Sequence, residues 1–115
     1  MSQLKALTER IVAFRDERDW QQFHNPKDLA LSLSLEASEV LELFQWKNGD
    51  DIETAAREKH AELADELADV LYYTLLMAHD RRIDLEQALI AKLKRNAEKY
   101  PVDKAKGSSR KYTEL

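Results

Sequence analysis

Cysteine is absent from the 115-residue chain, and that single absence removes disulfides, thiolate metal sites and thiol nucleophiles from consideration. Glycine and proline are scarce, two of each, which argues against hairpin-rich sheets and for helices built from the abundant Leu, Ala, Glu and Lys. No sheet is expected. A long apolar run is missing as well: the longest, Val70 to Ala78, is too short to span a bilayer, and Met1 to Trp20 alternates apolar with charged residues, unlike a signal peptide. These absences predict a soluble, cytoplasmic protein with no membrane partner. Charge is plentiful at 35% of residues, but the formal net of −4 opposes attraction to nucleic-acid backbones, although Lys104 to Lys111 is locally basic. No nucleic-acid partner is expected, and an anionic ligand needs a counter-charge from elsewhere.

The length suits one domain, 1–115, with 99–115 expected as an extended C-terminal tail. A first helix is predicted from Gln3 to Asp16, because Leu4, Leu7, Ile11 and Phe14 recur at three- and four-residue steps and form a core face. After a connector from Arg18 to His24, Asn25-Pro26-Lys27-Asp28 reads as N-cap, proline at the first helical position and an acid in the first turn. That second helix is expected to reach Lys47, where Asn48-Gly49 closes it. Asp50 with Glu53 resembles a capping pair for a long third helix to about His79, with a candidate break near Arg57. Asp84 with Gln87 opens a fourth, Leu85 to about Glu98, ended by Pro101. The fold class is therefore all-α, a four-helix bundle whose wide apolar stripes are completed by homo-oligomerisation, with a homodimer as the minimum.

Two acidic motifs stand out against this pattern. Leu29, Leu33, Glu36, Val40 and Leu43 follow one three-four repeat, so Glu36 holds a register position otherwise reserved for the core, and Glu39 lies a turn away. On the third helix Glu62, Glu66, Asp69 and Tyr73 form a stripe beside Leu63, Leu67 and Val70, so its acids border the core rather than oppose it. Carboxylates turned inward cost several kcal/mol each, on the order of magnitude, unless a cation or a proton meets them. If the motifs face each other, Glu36, Glu39, Glu66 and Asp69 suit a hard divalent ion, Mg²⁺ or Mn²⁺, that also binds phosphate oxygens. The alternative is a pair of solvated helix faces, since Glu-x-x-Glu spacings arise freely in charged helices.

Helix four carries Leu85, Leu89, Lys92 and Asn96 on one face, an apolar stripe turning cationic and polar, as at a pocket mouth. Lys92 suits a phosphate and Asn96 a sugar or base, against the alternative of a lysine snorkelling along its helix. Trp20, Phe23, Trp46 and Tyr73 flank the acidic helices and offer faces for a nucleobase, or else for core packing. None of His24, His60 and His79 lies three residues after a glutamate, which disfavours a di-iron bundle, and no Ser-His-Asp arrangement is evident.

Glu36-x-x-Glu39 with Glu66-x-x-Asp69 on successive helices resembles the all-α nucleoside triphosphate pyrophosphohydrolases of the MazG-like group. The segments Arg18-Asp19-Trp20, Phe23-His24-x-Pro26, Leu43-Phe44-Gln45-Trp46-Lys47, Tyr100-Pro101 and Ser109 to Leu115 are similar to its dCTP pyrophosphatase branch, and they extend over nearly the whole chain. The resemblance implies a Mg²⁺-dependent hydrolase, with Mn²⁺ as the alternative ion, converting a (deoxy)nucleoside triphosphate to the monophosphate and pyrophosphate. By it, Glu36, Glu39, Glu66 and Asp69 hold the metal and carry catalysis. Trp20 and Trp46 line the base pocket, with Phe23 and His24 among the substrate contacts and Tyr73 near the deoxyribose. Lys92 and Asn96 complete the ligand site, and Arg110 and Lys111 approach phosphates. It also implies a dimer-of-dimers tetramer with sites between subunits, and a role in clearing unwanted nucleotides. Gly49 to Glu58 is compact where several relatives carry a longer loop, which leaves base selectivity the least constrained expectation. The competing expectation is a non-catalytic helical dimerisation or regulatory module.

Overall fold

The computed structural model describes residues 2–115, and among them there is no strand. Helices α1 (Gln3–Glu17), α2 (Pro26–Glu42), α3 (Asp50–Glu58), α4 (His60–Asp80), α5 (Leu85–Lys99) and α6 (Val102–Ala105) follow in order, with 3₁₀ turns at Gln21–Phe23 and Tyr112–Glu114. The all-α expectation is met. The described chain falls into two compact units, one ending at Arg82 and the other Ile83–Leu115.

In the first unit α2 packs most extensively on α4, and α1 and α3 also pack on α4. Leu29, Ala55, Leu75, Leu76 and Ala78 are its buried apolar residues. Each of the three leucines contributes roughly 1.5–3 kcal/mol by leaving water. The only buried charged side chain among the described residues is Arg15, 1% exposed. Its guanidinium donates two parallel hydrogen bonds to Asp80, Nη1 to Oδ2 at 2.8 Å and Nη2 to Oδ1 at 2.9 Å, tying the ends of α1 and α4 together. This pair is what makes a buried arginine tolerable.

Helix α1 closes with a left-handed residue. Asp19 takes φ 53°, its N–H donates to the Asp16 carbonyl at 3.0 Å, and the Trp20 N–H donates to the Arg15 carbonyl at 3.2 Å. That two-bond closure normally uses glycine, and here it throws Trp20 back beside the helix it follows. The N-cap of α2 is as expected: Asn25 Oδ1 accepts from the Asp28 N–H at 2.8 Å. The end of α2 is not. The last turns tighten into three-residue bonds, Leu43 N–H to Val40 O and Phe44 N–H to Leu41 O, so the regular helix stops at Glu42 and 44–47 forms a turn. Gly49, at φ 56°, precedes α3 instead of closing α2, and Asp50 sits inside that helix without a side-chain cap. The long third helix is interrupted at Lys59, two residues beyond the expected break, so four predicted rods become five, and α6 in the expected tail makes six helices among the described residues.

Leu31 and Leu35 on α2, and Leu67 and Leu71 on α4, remain exposed as i,i+4 pairs. Leu67 therefore departs from the core stripe predicted for it.

In the second unit Asp84 Oδ1 accepts from the Gln87 N–H at 3.1 Å, the predicted cap of α5. The segment expected as an extended tail carries α6 and the Tyr112–Glu114 turn. The Tyr100 and Tyr112 rings meet edge to face at 6.0 Å, and the Lys99 ammonium lies 4.9 Å from the Tyr112 ring centre. These contacts hold the chain end against the end of α5, which explains why it is not extended. Leu89, Ile90 and Leu93 stay exposed along α5.

A candidate metal centre beside an aromatic cavity

Helices α2 and α4 bring Glu36, Glu39, Glu66 and Asp69 together, each offering a carboxylate oxygen such that all four atoms lie within 4.8 Å of one another. The i,i+3 spacing puts each pair on one helix face, and the α2–α4 packing turns those faces toward each other. Glu36 and Glu66 are half-buried, and Glu39 and Asp69 are exposed. Glu62, which shares the α4 stripe by sequence, is exposed and lies outside the group.

The cluster is electrostatically unsatisfied. Oε2 of Glu36 and Oε2 of Glu66 are buried and have no hydrogen-bond partner. Burial first, then the neighbouring Glu39 and Asp69, raises the Glu36 carboxyl above the usual carboxylate range. Hydrogen bonding with Glu39, then burial, pushes Glu66 up to about 7. Among the described residues no cation forms an ion pair with any of the four: the salt bridges present are Arg15–Asp80 and Arg18–Glu17. Four oxygen donors, two with orphaned buried atoms, fit a hard divalent cation, and Mg²⁺ or Mn²⁺ meets that donor chemistry.

Glu36 and Asp69 also line a cavity of about 600 Å³. Its other walls are Leu7, Arg10, Ile11 and Phe14 from α1, Tyr72 and Tyr73 from α4, and Trp20 and His24 from the connector. The aromatic rings interlock: Phe14 meets Trp20 at 5.9 Å and Tyr72 at 6.3 Å, and Tyr72 meets Tyr73 at 5.0 Å, all edge to face. The Arg18 guanidinium covers the Phe14 ring at 3.7 Å. A planar, partly apolar ligand with an anionic end matches a space that is aromatic on one side and acidic, hence metal-competent, on another.

Of the residues expected to touch substrate, Trp20, His24 and Tyr73 line this cavity. Phe23, in the 3₁₀ turn, and Trp46, in the turn after α2 and 84% exposed, do not. Lys92 and Asn96 on α5, with Arg110 and Lys111 before the last turn, belong to the second unit, where Asn96 is half-buried and the other three are exposed.

Sequence reasoning missed Arg10 and Tyr72 and misassigned the α1 stripe. Leu7, Ile11 and Phe14 were expected to fill a core, and they form the cavity wall instead. The available signal was the stripe's own position: Arg10 falls at i+3 from Leu7, and Tyr72 at i+3 from Asp69, within faces already recognised. The Arg15–Asp80 pair carried no sequence signal beyond Arg15 lying four residues after Ile11.

The MazG-like family model matches residues 31–115. The chain is 44% identical to dCTP pyrophosphatase 1 of Homo sapiens, over 89% of this chain and 61% of that protein. It is 45% identical to dCTP pyrophosphatase 1 of Bos taurus, over 89% and 62% respectively. The chain thus spans about three-fifths of the length of the curated relatives it matches. It is also similar to a pyrophosphatase of known structure from Archaeoglobus fulgidus, with 36% identity and a TM-score of 0.83 over 88% of this chain and 94% of that one. With its paired acidic motifs facing each other across α2 and α4, the chain belongs to the MazG-like family.

Proposed function

We propose that the protein is a Mg²⁺-dependent nucleoside triphosphate pyrophosphohydrolase, with Mn²⁺ as a substitute ion, that converts dCTP or a modified dCTP to the monophosphate and pyrophosphate. The observation that carries this reading is the convergence of four carboxylates, two with unpartnered buried oxygens, in a cluster whose Glu36 and Asp69 line an aromatic cavity. The 44% identity to dCTP pyrophosphatase 1 supports the reaction and the cytosine preference. In this reading Glu36, Glu39, Glu66 and Asp69 hold the metal. A bound divalent ion supplies charge neutralisation for the triphosphate and acidifies a nearby water.

The remaining work falls to the chain. Trp20 and the rings of Phe14 and Tyr72 embrace the base, and Tyr73, one helical turn after Asp69 on α4, lies nearest the sugar. One of the two α2 glutamates orients the water that attacks the α-phosphorus, so that the pyrophosphate departs as a unit. Phe23, Trp46, Lys92, Asn96, Arg110 and Lys111 are proposed as further contacts completed on self-association. The exposed leucine pairs of α2 and α4 support a dimer or tetramer, because apolar faces of that extent are costly in water. The reading includes a cytoplasmic, house-cleaning role in the nucleotide pool.

Incubation with each of the four common dNTPs and Mg²⁺ tests the proposal: pyrophosphate and the monophosphate are expected, fastest with dCTP or a 5-modified analogue. Release of orthophosphate rejects the mechanism. No turnover of any nucleotide, modified cytosines included, rejects the class. Glu39→Gln separates the enzyme from a non-catalytic helical module, since it removes turnover while the fold persists in the first case and changes nothing measurable in the second.

A further inference from the structure

His24 is a wall residue of the cavity, and its ring is held from behind. Nη1 of Arg15 lies 3.4 Å from Nδ1 of His24, while the same guanidinium grips Asp80 in a bidentate pair. A guanidinium has only N–H donors and is never deprotonated, so it can face a ring nitrogen only as donor. A proton on Nδ1 would point at another N–H. The ring is therefore compelled to keep Nδ1 bare and to carry its proton on Nε2, the nitrogen left for a ligand.

We infer that the Asp80–Arg15 pair is a positioning device that holds His24 as the neutral imidazole protonated on Nε2, so that the cavity offers the base one fixed, uncharged hydrogen-bond donor. This rests on the nucleotide reading of the cavity and adds to it two positioning residues, Arg15 and Asp80, neither of which lines the cavity. Burial and the adjacent Arg15 charge both disfavour the imidazolium, and Asp80 opposes them more weakly. The other charged groups on the cavity wall are Arg10 from α1, Glu36 from α2 and Asp69 from α4. An uncharged donor reads an acceptor on the base without drawing the triphosphate away from a cation held by the acidic cluster.

The tautomer is measured directly on the wild-type chain by ¹⁵N NMR of the His24 ring. Nδ1 is expected to be unprotonated and Nε2 protonated, with no titration of His24 until the pH falls below 6.5, its ordinary value. A neutral ring carrying its proton on Nδ1, or a ring that titrates at or above that value, overturns the inference even in an active enzyme. Arg15→Met removes one of the two causes that hold His24 down and is expected to raise its titration relative to the wild-type chain, and Arg15→Met with Asp80→Asn is expected to bring it down again. An unmoved titration in the single variant overturns it too. If the variants do not fold, the wild-type tautomer decides.

Turnover supplies the functional arm. His24→Phe keeps an aromatic ring and loses the donor, and is expected to raise KM for dCTP about tenfold, the scale of one net hydrogen bond, with little change in kcat. His24→Gln restores a neutral donor and recovers most of that loss. Equal KM values for wild type and His24→Phe contradict the role of the donor. Wild-type silence with every nucleotide defeats the nucleotide reading itself, an outcome distinct from an active enzyme with the wrong tautomer.

Discussion

The guanidinium of Arg15 and the carboxylate of Glu66 both keep polar atoms out of water in the same unit, yet their surroundings are opposite. Arg15 meets Asp80 through two charge-assisted bonds, which hold the Asp80 carboxyl below the usual carboxylate range and raise Arg15 further. Glu66 meets three other acids, which with burial push it up to about 7. The first site is neutralised by the chain itself and serves the fold. The second is left short of positive charge, so its stability depends on what it binds or on the proton it takes up. One helix, α4, carries members of both, Glu66 and Asp69 in its first half and Asp80 at its end.

Breaking the second site has the largest expected effect, on activity. Glu39→Gln or Glu66→Gln is expected to cost on the order of a thousandfold in kcat/KM, the scale of several kcal/mol of lost charge stabilisation. In metal-free protein at pH 8 the same substitutions are expected to raise the melting temperature by relieving like-charge repulsion, a combination that a purely structural acid would not give.

Breaking the first site acts on stability. Asp80→Asn is expected to destabilise the fold by roughly 3 kcal/mol in denaturant titration, the lower end for breaking a buried pair, because the Asp80 side chain keeps 21% of its exposure. Its pH signature runs opposite to that of the acids. A depressed carboxyl stabilises the fold above its unfolded value and loses that contribution as pH falls through the folded one, so the Asp80 contribution fades below the ordinary 3.8. Raised carboxyls do the reverse: Glu66 favours the fold below 4.5 and withdraws that support as pH rises to about 7. Metal-free protein is therefore expected to melt at progressively lower temperature between those pH values, with divalent ion flattening or reversing the slope. Asn25→Ala, which removes an uncharged cap from α2, sets the baseline at about 1 kcal/mol with no pH or metal dependence in the same range.

The comparison also marks what a sequence can carry. Glu36 was legible because a carboxylate interrupted an apolar repeat, and the caps at Asn25 and Asp84 because they depend only on residues three apart. Fold class followed from scarce glycine and periodic leucine. Arg15 was hidden because its partner lies 65 residues away, and no local periodicity encodes that distance. The α1 stripe shows the same limit differently: periodicity reported an apolar face but not whether that face meets a core or a cavity. The end of α2 was misread because Asn48-Gly49 outweighed the tightening of its last turns, a backbone effect with no residue signature.

The central claim is that the acids on α2 and α4 stay together because a divalent cation belongs among them. Calorimetric titration of Mn²⁺ into metal-free protein at pH 7, in buffers of different ionisation enthalpy, tests it most directly. The account predicts binding accompanied by proton release, since burial and the neighbouring acids push Glu66 up to about 7 and raise Glu36 too, and loss of binding in Glu66→Gln. Binding of equal strength in Glu66→Gln, or no binding to the wild-type chain, would contradict it.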